Sequence, residues 1–390
     1  MIDICSLDAY DYELPQDHIA QYPSNPPESC KLLTYNRSTK QLSHTIFADA
    51  VKTLDDQSVL FFNNSKVVKA RIPLEGRSVI YRGKTRVLKE GELFYLQPIG
   101  NNTYQCYLYP GNKMPKGSQL IIDQYVLDMV DDFERGRVVY FAGDMFALLE
   151  HYGQMPLPPY IEQHEDKASH YQPVVSRIPG SVASPTASLH FSSAVLDSVV
   201  SQGVSLDYVT LHVGVGTFRP VETPNILDHR IHKEQVEIDI ALFQRVMNYK
   251  LNNKRTIAVG TTSCRTLESL PYVFVRLNSE YDLTQYMDPQ TYAFRDQLSE
   301  TISSDQACSY IPDQPSIMGS TLYFSCELYI APGFVFRVID QLITNFHLPK
   351  SSLLVLLATY MGYNPMKQAY QEAIQKNYRF YSFGDAMWIQ

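Results

Sequence analysis

The chain has 390 residues, 45% of them hydrophobic and 19% charged, with a formal net charge of −8. That composition excludes a disordered chain and allows a large core shared between two domains. The acidic balance argues mildly against a large nucleic-acid surface, and six scattered cysteines with no C-x-x-C pair argue against a zinc ribbon or a disulfide framework.

Reduced thiols suit a cytoplasmic protein. The start, MIDICSLDAYDYELP, lacks a basic, apolar secretory pattern. The longest apolar run, 353–361, is too short to cross a bilayer, so no membrane partner is expected.

Residues 13–70 mix helix and strand signals. The run SVLFF at 58–62 reads as a buried strand feeding a polar turn at Asn63, Asn64 and Ser65, with the asparagines as turn residues rather than ligands. From 74 to 153 short β-rich runs alternate with turn signals such as GNN and PGNK. The fold class is therefore α/β: a mixed-sheet α/β main domain, residues 1–73 and 154–390, with a small β-barrel-like domain inserted at 74–153. MPLPPYI at 155–161 reads as a stiff, extended re-entry.

The stretch 179–234 carries four of the ten histidines, at 190, 212, 229 and 232. Ser192 is placed to cap a helix with Val195, Leu196, Val199 and Val200 at helical spacing, and Gly203 to stop it. Residues 205–213 read as a strand ended by Gly214 and Gly216. His190 then precedes a helix, and His212 sits at the carboxyl end of a strand, where open α/β sheets bind ligands.

Asp239 is placed to cap a helix through Asn252. TIAVG at 256–260 reads as a strand, after which Thr261, Thr262 and Ser263 open a helix carrying Arg265 and Glu268. That amino end suits an anion or hydroxyl, or is simply a capped helix. Residues from about 271 to 325 read as an exposed, irregular insertion. A turn at 330–334, a helix, the TNFHLP run, a buried helix at 351–361 and a last helix opened by Asn364 and Pro365 follow.

The sequence HVGVGT at 212–217 is not a dinucleotide-binding turn, because that motif must open a helix. Pro220 and Pro224 follow, and a proline in a helix interior costs about 3 kcal/mol. No G-x-S-x-G elbow, phosphate loop or cysteine-nucleophile signature is present. His229, His232 and Glu234 are of metal-ligating type, although their spacing matches neither H-E-x-x-H nor a Cys/His zinc pattern. Hydrogen-bonded core histidines, metal ligands, and acid/base or substrate-positioning groups all remain open.

Taken in order, several motifs resemble the S-adenosylmethionine:tRNA ribosyltransferase-isomerase family of queuosine biosynthesis. They are YELP at 12–15, IAQYP at 19–23, NNSKV at 63–67, PLPPYI at 156–161, PGSVASPTASLHF at 179–191 and VTLHVGVGTF at 209–218. HRIHKE at 229–234, AVGTTS at 258–263, TNFHLPK at 344–350 and YRFYSFGDAM at 378–387 continue the series. The resemblance implies transfer and isomerisation of the ribosyl group of S-adenosylmethionine onto 7-aminomethyl-7-deazaguanine at the tRNA wobble position. Epoxyqueuosine-tRNA forms, and adenine and methionine leave.

It further implies S-adenosylmethionine as co-substrate, tRNA as partner, no metal and no tightly bound cofactor; the sequence leaves the oligomeric state open, with a monomer favoured. The catalytic candidates are His190, His212, His232 and Glu234. Thr186, Gly214, Gly216, Thr217, Thr261, Thr262, Ser263, Arg265, Asn345, His347 and Asp385 are the candidates for contacts to the donor or substrate. Ser188 stands where the family has glycine, Val215 for alanine, Cys264 for valine and Lys31 for arginine. These departures leave room for a paralogue that binds RNA or a nucleoside without turnover.

Overall fold

The computed structural model describes residues 2–218, 220–278 and 315–390. The chain divides into two compact units: Met1–Ser65, Pro159–Arg177 and Pro185–Gln390 form one, and Lys66–Pro158 with Ile178–Ser184 the other.

The larger unit is built on a mixed ten-stranded sheet. Its spatial order is Ser316–Met318, Thr321–Cys326, Glu234–Asp239, Ser205–His212, Ser58–Asn63, Arg255–Val259, Gln341–Asn345, Ala386–Ile389, Lys31–Asn36 and Gln41–Ile46. The four strands ending at His212, Asn63, Val259 and Asn345 are mutually parallel neighbours.

Ser58–Asn63 is buried throughout, which is why its sequence reads as an unbroken apolar run instead of an alternating one. Pleating sends Leu60 and Phe62 to one face, where they meet Phe191 and, from helix Ser193–Ser201, Val195 and Val199. Phe61 turns to the other face, 6.0 Å from the ring of Tyr249 in helix Leu242–Leu251. Phe243 of that helix stacks at 3.9 Å on Phe274 of helix Thr261–Asn278. Each such aromatic burial contributes roughly 1.5–3 kcal/mol.

Several local expectations hold. Ser192 accepts a hydrogen bond from the Val195 amide, and Gly203 has φ +84° beyond the helix end. The buried helix expected at 351–361 runs Ser352–Met361, and the structure adds Ser351 as its cap through the Leu354 amide. Others need correction. Asp239 ends a strand, and the next helix starts at Leu242 with Ala241 before it; the Asp239 carboxylate instead accepts from the Ala241 amide and pairs with Arg245.

No helix precedes Gln341. The buried Glu268 carboxylate takes the amides of Arg337, Val338 and Ile339, each at 2.9 Å, and so holds that segment open. Residues 271–278, expected to be irregular, continue the helix Thr261–Asn278 past Pro271, burying Val273, Phe274 and Leu277. Residues 316–318 and 321–326 are strands, and the rest of that expected insertion, 279–314, lies outside the described residues. The last helix, Tyr363–Gln375, begins just before Asn364, with Gly362 at φ +96° ahead of it.

The smaller unit carries an eight-stranded antiparallel sheet, curled as half a barrel. Its order is Arg71–Pro73, Glu92–Gly100, Thr103–Tyr109, Gly136–Tyr140, Tyr125–Phe133, Gln119–Ile122, Ser78–Tyr81 and Lys84–Val87. Leu93, Tyr95, Leu120, Ile122, Leu127, Met129 and Val139 form its interior. The GNN signal becomes a two-residue hairpin: Gly100 pairs with Thr103, and Asn101 and Asn102 take φ +49° and +56°. Asp144 caps the helix Met145–Tyr152 through two amides.

Candidate functional site

Four parallel strands place Asn63, His212, Val259 and Asn345 at one edge of the large sheet. The antiparallel strands beginning at Glu234 and Ala386 start at the same edge, with Gln235 opposite His212 and Ala386 opposite Asn345. The strand ending at Asn63 connects onward to one neighbour, and the strand ending at Val259 to the neighbour on the other side. The reversal of strand order therefore falls between these two, the usual ligand position in open α/β sheets.

Asn63 bridges that point. Its side-chain nitrogen donates to the Leu211 carbonyl at 2.9 Å and to Thr262 Oγ1 at 3.4 Å, and its oxygen accepts from the Leu211 and Ser65 amides. Asn64 accepts from the Thr210 hydroxyl. Both asparagines thus staple the strand ends.

The candidate residues fall into two groups, one on each side of the sheet. Glu234 leaves the strand on the side of Leu211 and helix Thr261–Asn278. It is buried, receiving Arg265 Nη1 at 2.5 Å on Oε2, and the Gly214 amide at 3.3 Å and Thr217 hydroxyl at 3.2 Å on Oε1. Arg265 also donates to the Leu328 carbonyl. A buried ion pair survives when further hydrogen bonds occupy its remaining positions. Here those bonds fix the turn after His212, which is the short 3-10 segment Val215–Phe218 and no α-helix.

The His232 ring lies against Gly216: a Cβ there would stand 2.1–2.3 Å from three ring atoms. Gly214 has no such constraint, its nearest neighbour being His232 Cδ2 at 3.9 Å. On the adjoining helix, Ser263 returns its hydroxyl to the Val259 carbonyl at 2.8 Å, while Thr261 is buried at the helix start.

The second group faces the Phe62 side. Asn345 donates to the Tyr381 carbonyl at 3.1 Å, which fixes its amide orientation. The same nitrogen lies 3.3 Å from His190 Nε2, and its oxygen accepts from Thr186 Oγ1. His190 Nε2 is therefore the acceptor, and the proton sits on Nδ1, 3.3 Å from Cys30 Sγ. Burial, and secondarily the charge of Arg379, lower the His190 pKa to about 4. Burial raises the Cys30 thiol to about 12. This imidazole is neutral at neutral pH with both nitrogens engaged.

His212, on the same side, has Nδ1 2.7 Å from Ser65 Oγ and Nε2 3.2 Å from Glu237 Oε1. His347 bonds Thr344 through Nε2, and burial lowers its pKa to about 3. Asp385 accepts the Lys31 and Arg379 amides, which ties the final turn to the first strand.

Sequence reasoning singled out neither Cys30 nor Glu237, and it took Asn63 and Ser65 for turn residues. The alternation in EQVEID at 234–239 puts Glu234 and Glu237 on opposite faces, but only the cross-strand register puts Glu237 beside His212. Among the described residues no group of three His, Cys, Asp or Glu side chains is arranged to hold a metal. A separate cavity of about 200 Å³ lies between Tyr12, Leu354, Met366 and Tyr370. It contains none of the candidate residues and is smaller than the roughly 300 Å³ lower bound of ordinary ligand sites.

The departures have local explanations. Ser188 is buried without a positive φ, so the backbone there does not require glycine, and its hydroxyl has no hydrogen-bond partner among the described residues. Lys31 Nζ donates to the carbonyls of Lys376 and Asn377 at the end of the last helix, a task a point donor performs.

The profile of the queuosine biosynthesis protein family matches residues 7–389. The chain belongs to this family. The S-adenosylmethionine:tRNA ribosyltransferase-isomerase of Sulfurihydrogenibium sp. (strain YO3AOP1) is 35% identical over 387 residues, covering 98% of this chain and 99% of that one. The protein of the same name from Halothermothrix orenii is 35% identical over 388 residues, with the same two coverages. That from Clostridioides difficile (strain 630) is 33% identical over 386 residues, covering 98% of each. The crystal structure of S-adenosylmethionine tRNA ribosyltransferase from Thermotoga maritima is 25% identical and covers 98% of this chain and 100% of that one, with a TM-score of 0.49. The family membership inferred from the ordered motifs is borne out by the profile and by the full-length Sulfurihydrogenibium, Halothermothrix and Clostridioides relatives.

Proposed function

We propose that this chain is an S-adenosylmethionine:tRNA ribosyltransferase-isomerase of queuosine biosynthesis. It transfers the ribosyl group of S-adenosylmethionine to the aminomethyl group of 7-aminomethyl-7-deazaguanine in tRNA and isomerises it, giving epoxyqueuosine-tRNA, adenine and methionine. The observation that carries this reading is its 35% identity, over nearly the full length of both chains, to relatives bearing that name. The gathering of His190, His212, Glu234, Asn345 and the Thr261 helix end at one carboxyl sheet edge supports it. S-adenosylmethionine is a substrate here, and the cytoplasm is the expected location.

In this reading, Asn345 holds the neutral His190, Glu234 and Arg265 hold the Gly214–Thr217 turn, and Gly216 admits the His232 ring. The β-rich block at 74–153 is proposed to be a separately folding insertion, supported by the compactness of the unit containing it. Incubation with S-adenosylmethionine and tRNA carrying the aminomethyl base tests the activity. Released adenine is the expected result; tRNA retained without adenine would leave a binding protein in its place.

A further inference from the structure

Resting on the proposed transferase reading, we infer that His212 is the proton-moving histidine of the site, with Ser65 as its proton carrier and Glu237 as its positioning residue. Three histidines at the sheet edge have ring partners given by the structure. His190 and His347 are buried among neutral partners: Asn345 and Cys30 for the first, Thr344 for the second. His212 alone of these three has a carboxylate on one ring nitrogen and a hydroxyl on the other.

A carboxylate only accepts, so Nε2 carries the proton toward Glu237 and Nδ1 is left as the acceptor of the Ser65 hydroxyl. The ring is half-buried, with 19% of its side chain exposed, so a charged imidazolium keeps some contact with water. Register explains the pairing. Gln235 lies directly opposite His212, and Glu237, opposite Thr210, is its diagonal neighbour on the same face.

The flanking residues on that face, Thr210, Gln235, Tyr323 and Ser325, are uncharged. Arg177 lies over the Tyr208 ring, two pleat repeats before His212. Glu237 is thus the anionic group placed against the ring. The same order of hydroxyl, imidazole and carboxylate occurs at Tyr378, His44 and Glu372 on the edge strand Gln41–Ile46. The pattern alone therefore does not make a site. What sets His212 apart is its place at the end of a parallel strand, next to the Asn63–Ser65 turn where the strand order reverses.

In the proposed step, Ser65 Oγ takes a proton from the substrate as it gives its own to His212 Nδ1. The hydroxyl is restored, and an imidazolium forms beside Glu237. Reversal of the relay returns that proton to the departing adenine, so His212 and Ser65 end the turnover as they began.

The test uses the full chain with Glu237→Gln, Glu237→Asp and Glu372→Gln, the last as control. Removing the anion disfavours the imidazolium. Glu237→Gln is expected to lower kcat at least tenfold with KM for both substrates within about threefold, and to move the acid limb of the kcat–pH profile to lower pH. Glu237→Asp should restore the limb, and Glu372→Gln should leave it in place. His212 ring titration followed by NMR reads the same coupling without turnover, and its midpoint should fall in Glu237→Gln. An unshifted titration midpoint or an unshifted acid limb overturns the proposal. Absence of adenine release from the unmodified chain, with a normal NMR shift, would instead remove the transferase reading and leave the His212–Glu237 coupling standing.

Discussion

Gly216→Ala isolates one contact. The added methyl would lie 2.1 Å from His232 Cε1, 2.2 Å from Nδ1 and 2.3 Å from Nε2. Favourable carbon contacts lie near 3.5–4.0 Å, so the overlap exceeds about 1 Å and the ring must move. Overpacking of this kind costs about 1–3 kcal/mol in a closed core. His232 is half-buried and not closed inside a core, so the lower end applies.

Gly214→Ala is the matched control two residues earlier, with its nearest atom at 3.9 Å and its amide bond to Glu234 retained. Neither glycine has a positive φ, so backbone strain does not enter. The expected outcome is a stability loss of about 1 kcal/mol for Gly216→Ala and almost none for Gly214→Ala. Adenine release should fall by at least about tenfold in Gly216→Ala, because acid/base or positioning histidines contribute about a hundred- to ten-thousand-fold when correctly placed. Thermal melting and an adenine-release assay on both proteins decide it. Equal behaviour of the two variants would refute the reasoning.

Arg265→Ala leaves the buried Glu234 carboxylate unpaired and should destabilise the chain by about 3–5 kcal/mol. A double variant with Glu234→Ala should lose less than the sum, read from denaturant midpoints. The His190 pKa is depressed from an ordinary 6.5 to about 4, so the unfolded chain binds the proton more readily. Stability from His190 is present above pH 6.5 and is lost as pH falls toward 4. Melting curves should show that loss, with a shallower slope in His190→Gln. Ser188→Ala removes a buried hydroxyl with no partner and should leave the melting temperature unchanged or raise stability by up to about 1 kcal/mol; a clear fall would reveal an undetected bond.

Much of this arrangement was legible in the residues. Ser192 and Gly203 announce helix ends because capping chemistry is local, and SVLFF announces a central strand because both its faces are covered. His212 at a strand end followed from Gly214 and Gly216. What was not legible depends on partners distant in the chain. Glu268 holds residues 337–339 extended against their helical pattern, and tertiary packing of Phe274 and Leu277 carries the helix past Pro271 into a stretch expected to be irregular. Glu234 was legible as a candidate site residue, but its pairing with Arg265, 31 residues away, was not. The division of the histidines between two faces likewise depends on register, which no single segment specifies.

The grip of Glu268 on three consecutive amides has a mechanical consequence. Glu268 lies two helical turns beyond Thr261 on the same rod, roughly 10 Å along its axis. The rod is therefore bolted at its middle to the segment leading into strand Gln341–Asn345, and its tip can neither slide nor rotate independently of that strand. Thr262, at the tip of the bolted rod and 3.4 Å from the Asn63 side chain, is thereby held as a fixed reference point at the sheet edge.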